Sequence, residues 1–152
     1  MSLESTQEPA VPSPNGCFAC GRDNEIGLKL EFAHDPRGEA QAAWTPGSMH
    51  EGWPGVVHGG LLSTVLDEAM SHAVLAAGLK AMTAELRVRF REAAPSRGAL
   101  TAKGWIVTRA KRLVEAEASI TGADGREYVH GWGRFLCVDS LPRPGQAEAA
   151  RR

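Results

Sequence analysis

The chain of 152 residues contains no apolar run approaching the roughly 18–20 residues that a membrane-spanning helix needs. It has no surplus of either charge: 17 Lys+Arg stand against 18 Asp+Glu, a formal net charge of −1. A protein that coats nucleic acid carries a strong basic excess, so neither nucleic acid nor membrane is an expected partner. Cysteine is scarce, with Cys17, Cys20 and Cys137 only. That odd, low count is not a disulfide framework and suits a reducing cytoplasm. The first 15 residues lack a basic stretch followed by an apolar one, so no secretory leader is expected. What the chain does have is 43% hydrophobic residues, enough for a core, in a length that suits one domain.

Residues 1–15 are Pro- and Ser-containing and read as a flexible arm; residues 141–152, with Pro142, Pro144 and Gly145, read as a flexible tail. The expected domain is 16–140. Leu28 to His34 alternates apolar and polar as a half-buried strand does, and Glu39 to Thr45 is a second, weaker strand. Gly59 to Ala77 is the one long helical pattern, with Leu62, Val65, Leu66, Ala69, Met70 and Ala73 at i, i+3, i+4 spacing and Gly78 as a stop. Four strand-like segments follow, from Ala84 to Val138, one pair joined by the hairpin signal Asp124-Gly125. The fold class is therefore α+β: an antiparallel sheet of about five to six strands packed around one long helix.

Candidate chemistry clusters at that helix. His58-Gly59-Gly60 at its start leaves backbone N–H groups unshielded, able to hold an anion or polarise a carbonyl, or simply lets the chain turn. Asp67 is a poor mid-helix residue, either part of a solvated face or a general base or nucleophile at a seam. Glu68 lies about 100° further round the helix and reads as a surface or interface charge. The Cys17-Phe18-Ala19-Cys20 motif is half a tetrahedral zinc site with no second half in the sequence, so it reads as a structural turn and no metal is expected. From Arg87 to Arg112 eight basic residues face one acidic one, Glu92. Arg87, Arg89 and Arg91 share a strand face, and Arg109, Lys111 and Arg112 sit at a turn. Such a patch suits a compact polyanion, or is a solvated sheet face.

Val57-His58-Gly59-Gly60-Leu61-Leu62-Ser63-Thr64-Val65-Leu66-Asp67 resembles the signature of hotdog-fold acyl-CoA thioesterases, nearest to the phenylacetic-acid-degradation type and the thioesterase-superfamily-member branch. Thr83 to Phe90 resembles the next strand of that family, and Cys17 to Leu28 a common start. One departure is Gly52, where the phenylacetyl-type enzymes tend to carry Asn. The resemblance implies a thioester oxygen held at the Gly59 or Gly60 N–H, with His58 beside it, and Asp67 activating water or attacking directly. It implies that Thr83 orients the water or the carboxylate, and it gives the six basic residues above a role with the CoA phosphates.

Gly60 to Asp67 spans about 10 Å along a helix, so one thioester carbon cannot touch both. Antiparallel helices from two copies would bring them together, which agrees with the homodimer or dimer of dimers that the resemblance implies. The expected activity is hydrolysis of an acyl-CoA, with CoA as part of the substrate and no separate cofactor. The alternatives are a hotdog acyl-thioester dehydratase or hydratase, against which Thr64 stands where the helical acid belongs, and a non-catalytic acyl-CoA binder. The acyl group depends on how Trp53, Trp105, Trp132, Met49, Met70 and Met82 pack.

Overall fold

In the computed structural model the described residues are 16–138. The expected arm, the expected tail and residues 139 and 140 of the expected domain lie outside them. The apolar stripe folds as helix α1, Gly59–Ala76, with His58 as N-cap. Gly78 takes a left-handed φ of +78°, the conformation that ends helices cheaply only for glycine. Leu62, Val65, Leu66, Ala69 and Met70 are each no more than 2% exposed and form the core against the sheet. Among the described residues no helix is long and apolar enough to cross a membrane.

Six strands make one antiparallel sheet: β1 (Ala33–His34), β2 (Ala40–Trp44), β3 (Ala81–Phe90), β4 (Leu100–Arg109), β5 (Leu113–Gly122) and β6 (Glu127–Cys137). Their order across the sheet is β1-β2-β4-β5-β6-β3. With α1 held in the curve of this sheet, the chain has the hotdog arrangement. Close approach of the helix is permitted by glycine on the inner face. A Cβ at Gly104 would run into the Ala69 carbonyl, and one at Gly133 would come within 3.0 Å of the Met70 sulfur. Since Gly104 points inward, its neighbour Trp105 points outward by the two-residue period of a strand.

Two expectations need correction. Leu28 to His34 is a strand only at Ala33 and His34. The alternation is present, with Leu30 buried, but the Leu28 and Leu30 N–H groups bond the Phe18 and Ala19 carbonyls at 2.8 and 2.9 Å. The segment braces the cysteine loop in place of a sheet neighbour. The strand expected from Ala84 is longer, starting at Ala81, and forms a sheet edge with nearly every residue exposed. Met82, Leu86 and Phe90 are 46%, 37% and 51% exposed on it.

Candidate active site

The start of α1 is built by the preceding loop. The His58 N–H bonds the His50 carbonyl, and the Val57 N–H bonds that of Ala94. The His58 carbonyl then accepts from the Leu61 and Leu62 N–H groups. The His58 ring holds the loop, one of the two roles open to it: its Nδ1 accepts the Gly60 N–H at 2.9 Å. An imidazole that accepts at Nδ1 while neutral carries its proton on Nε2. One of the two expected oxyanion donors is thus already taken as a helix cap. Among the described residues the Gly59 N–H has no protein partner, as the first donor of a helix has none within it. Gly52 backs this loop, and a Cβ there would stand 3.3 Å from the His58 Cα. His50 is structural, its Nδ1 accepting the Gly47 N–H at 2.9 Å.

Asp67 lies about two turns further along α1, facing the edge strand β3. Thr83 Oγ1 donates to Asp67 Oδ1 at 2.8 Å. Burial pushes the Asp67 carboxyl above the usual aspartate range; the Thr83 bond pulls it back and the neighbouring Glu68 charge pushes it further up. A half-buried carboxylate that is held by a single hydroxyl keeps lone pairs free to take a proton from water. Thr64, by contrast, ties its hydroxyl to the Gly60 carbonyl at 3.0 Å. Glu68 is not a surface charge, its side chain being 16% exposed and 3.2 Å from the His72 Nε2. Burial pushes its carboxyl up, but hydrogen bonds from His72, Cys20 and Cys17 and the His72 charge outweigh this and hold it below the usual range.

The six basic residues do not form one patch within a chain. Arg89 pairs with His130 of β6, whereas Leu113, next to Arg112, is opposite Leu136 of the same strand. Six strand residues, about 20 Å, separate Arg89 from the Arg112 end along the strands. Nor is Glu92 the only acid near them. Arg91 Nε is 3.0 Å from Glu127, and Arg87 stacks 4.8 Å over the Trp132 ring. Arg89, Arg109, Lys111 and Arg112 are exposed. The expected pocket formers also divide. Met70 is fully buried core, while Trp53 and Met49 are 80% and 91% exposed. Trp105 and Trp132 flank His130 on the outer sheet face, away from α1.

The family model of the thioesterase superfamily matches residues 54–129. No curated protein is significantly similar in sequence. A solved protein described as a thioesterase superfamily protein is 27% identical, with a TM-score of 0.75; the match covers 78% of this chain but only 61% of that one. A hypothetical thioesterase from Streptococcus pneumoniae, solved with coenzyme A, is 20% identical with a TM-score of 0.69, covering 74% of this chain and 88% of that one. Two further structures of the pneumococcal protein carry Ala in place of an aspartate and, separately, of a threonine sixteen positions after it. The PaaI protein of the E. coli phenylacetic acid degradation operon is 19% identical with a TM-score of 0.67, covering 72% of this chain and 83% of that one.

Proposed function

The chain belongs to the thioesterase superfamily, and from that premise we propose that it hydrolyses an acyl-CoA to a carboxylic acid and free CoA. The observation that carries this reading is the Thr83–Asp67 bond of 2.8 Å on a half-buried carboxylate. Asp67 and Thr83 keep the sixteen-residue spacing of the two positions replaced by Ala in the pneumococcal protein. Asp67 takes a proton from water as the water oxygen bonds to the thioester carbon. The C–S bond then breaks, and the leaving CoA sulfur takes up the proton that Asp67 received, which restores the carboxylate. Negative charge building on the thioester oxygen meets the Gly59 N–H at the positive end of α1. The proton on His58 Nε2 offers a second donor if the ring stays on Gly60.

The site takes its two halves from two copies of the chain. Among the described residues the edge strand β3, with Met82, Leu86 and Phe90 exposed, has no neighbour on its outer side and can pair with another β3. Antiparallel pairing would carry the α1 start of one copy, where Phe90 lies 3.3 Å from a Cβ placed on Gly59, towards Thr83 and Asp67 of the other. The Arg89 end of one copy would meet the Arg112 end of the other. The two basic groups, separate in one chain, would then serve one CoA.

Release of free thiol from short-chain, long-chain and aryl acyl-CoA tests the reading. Asp67→Asn should lower kcat at least about 10²-fold on the best substrate. A variant as active as the wild type would remove Asp67 from the mechanism. Loss of water from a 3-hydroxyacyl-CoA without thiol release would make the protein a dehydratase instead.

A further inference from the structure

The cysteine motif, read from sequence as a turn, is one half of a built site whose other half comes from α1. Cys17 Sγ, Cys20 Sγ and a Glu68 carboxylate oxygen all lie within 4.8 Å of one another. Cys17 Sγ is 3.7 Å from Glu68 Oε1. For zinc bonds of about 2.3 Å to sulfur and 2.1 Å to oxygen, a tetrahedral S···O edge is about 3.6 Å. We propose that Cys17, Cys20 and Glu68 are three ligands of a structural zinc ion, which ties the cysteine loop to the central helix.

The loop is preorganised for this. The Gly21 N–H bonds the Cys17 carbonyl at 2.8 Å, and the Cys20 N–H points at Cys17 Sγ at 3.5 Å, which fixes the position of that sulfur in the loop. Asn24 closes the loop from below, its Nδ2 donating to the Gly16 carbonyl at 3.1 Å and its Oδ1 accepting the Ile26 N–H. Gly27 admits the close return of the chain, since a Cβ there would stand 2.7 Å from the Phe18 carbonyl oxygen. Leu28 and Leu30 then hold the Phe18 and Ala19 carbonyls.

The chemistry of the donors fits zinc. Two sulfurs and one carboxylate oxygen suit a borderline-soft ion and not magnesium or calcium, which take oxygen sets. In the metal-free chain both thiols hydrogen-bond Glu68. A divalent cation takes the place of those two thiol protons, which are released to solvent as the sulfurs bind it. His72 is the orienting group. Its Nε2 lies 3.2 Å from Glu68 Oε1, and among the described residues its buried Nδ1 has no partner, so Nε2 is the ring atom that holds the carboxylate. Imidazole–carboxylate pairs of this kind fix metal ligands from behind. Phe32 stacks on the ring at 4.4 Å between centroids and keeps it in place. A cavity of about 200 Å³ beside Cys17, Glu68 and His72 leaves room for water as the fourth ligand.

The test is metal analysis of the intact, reduced chain by inductively coupled plasma mass spectrometry, with cobalt substitution of the chelated protein. We expect about one zinc per chain and a thiolate-to-cobalt charge-transfer band. Cys17→Ser and Cys20→Ser should lose both, Cys137→Ser should keep both, and Glu68→Gln should weaken zinc binding about tenfold or more. Wild-type protein that takes up neither ion overturns the proposal, as does a folded Cys17→Ser/Cys20→Ser variant that retains stoichiometric metal. A Cys17–Cys20 disulfide in thiol-blocked native protein overturns it too. If the serine variants fail to fold, the wild-type cobalt spectrum and Glu68→Gln decide alone.

Discussion

At Asp67 two effects oppose each other on one carboxyl, and the pH profile separates them. Burial holds the acid form and the Thr83 hydroxyl favours the ionised form. A general base works only when ionised, so kcat/KM should rise with pH through the pKa of Asp67 in free enzyme. That limb should lie above the ordinary value of 3.8. Thr83→Val removes the one bond that lowers the pKa, so its limb should move to higher pH while Glu68 is unchanged in both proteins. A limb that stays put would mean that Thr83 does not set the ionisation of the working group. Stability follows with the opposite sign. The folded pKa is raised, so Asp67 favours the folded state as pH falls through that pKa and opposes it above. Asp67→Asn should therefore unfold at higher urea than the wild type at neutral pH, with the gap closing in acid. An active-site carboxylate kept at a cost in stability is a common compromise.

Helix α1 meets the sheet through glycine, and that contact is the most demanding in the fold. Gly104→Ala forces the new methyl against the Ala69 carbonyl, backbone against backbone, so neither side can yield by a rotamer change. A loss of about 1–3 kcal/mol or more is expected in urea unfolding, the range for overpacking. The helix itself was legible because a 3.6-residue period of Leu, Val, Ala and Met has one physical solution. The extended run at Leu28 was half legible. Its alternation reported a buried face correctly, but alternation does not say which backbone groups take its hydrogen bonds, and here they are those of Phe18 and Ala19. Charge counting along the chain failed at Arg91 for the same reason. Its partner Glu127 is on the adjacent strand, not on its own. Glu68 was misread because its neighbours Cys17 and Cys20 come from a loop some fifty residues earlier, at a spacing no local pattern reports.

On the scale of the whole molecule, the proposed arrangement puts the oxyanion donor and the base of each site on different chains, and two inactive variants can test it together. Asp67→Ala removes the base. Gly59→Pro removes the helix donor with little disturbance, because proline suits the first helical position and needs an extended residue before it. His58 already has φ −60° and ψ 129° there. The Phe90 ring, 3.3 Å from a Cβ at residue 59, must give by a few tenths of an ångström. Each variant alone should form dimers without thioesterase activity. Mixed in equal amounts after unfolding and refolding, half the dimers carry one copy of each. In such a dimer one site has both defects and the other has neither, so the mixture should recover about a quarter of the wild-type kcat per chain with unchanged KM. If donor and base act within one chain, every site keeps a defect and the mixture stays inactive. Leu86→Arg, placed on the exposed edge strand, supplies the complementary measurement. It should shift the chain to monomer in light scattering and abolish turnover while leaving Asp67 and Gly59 in place.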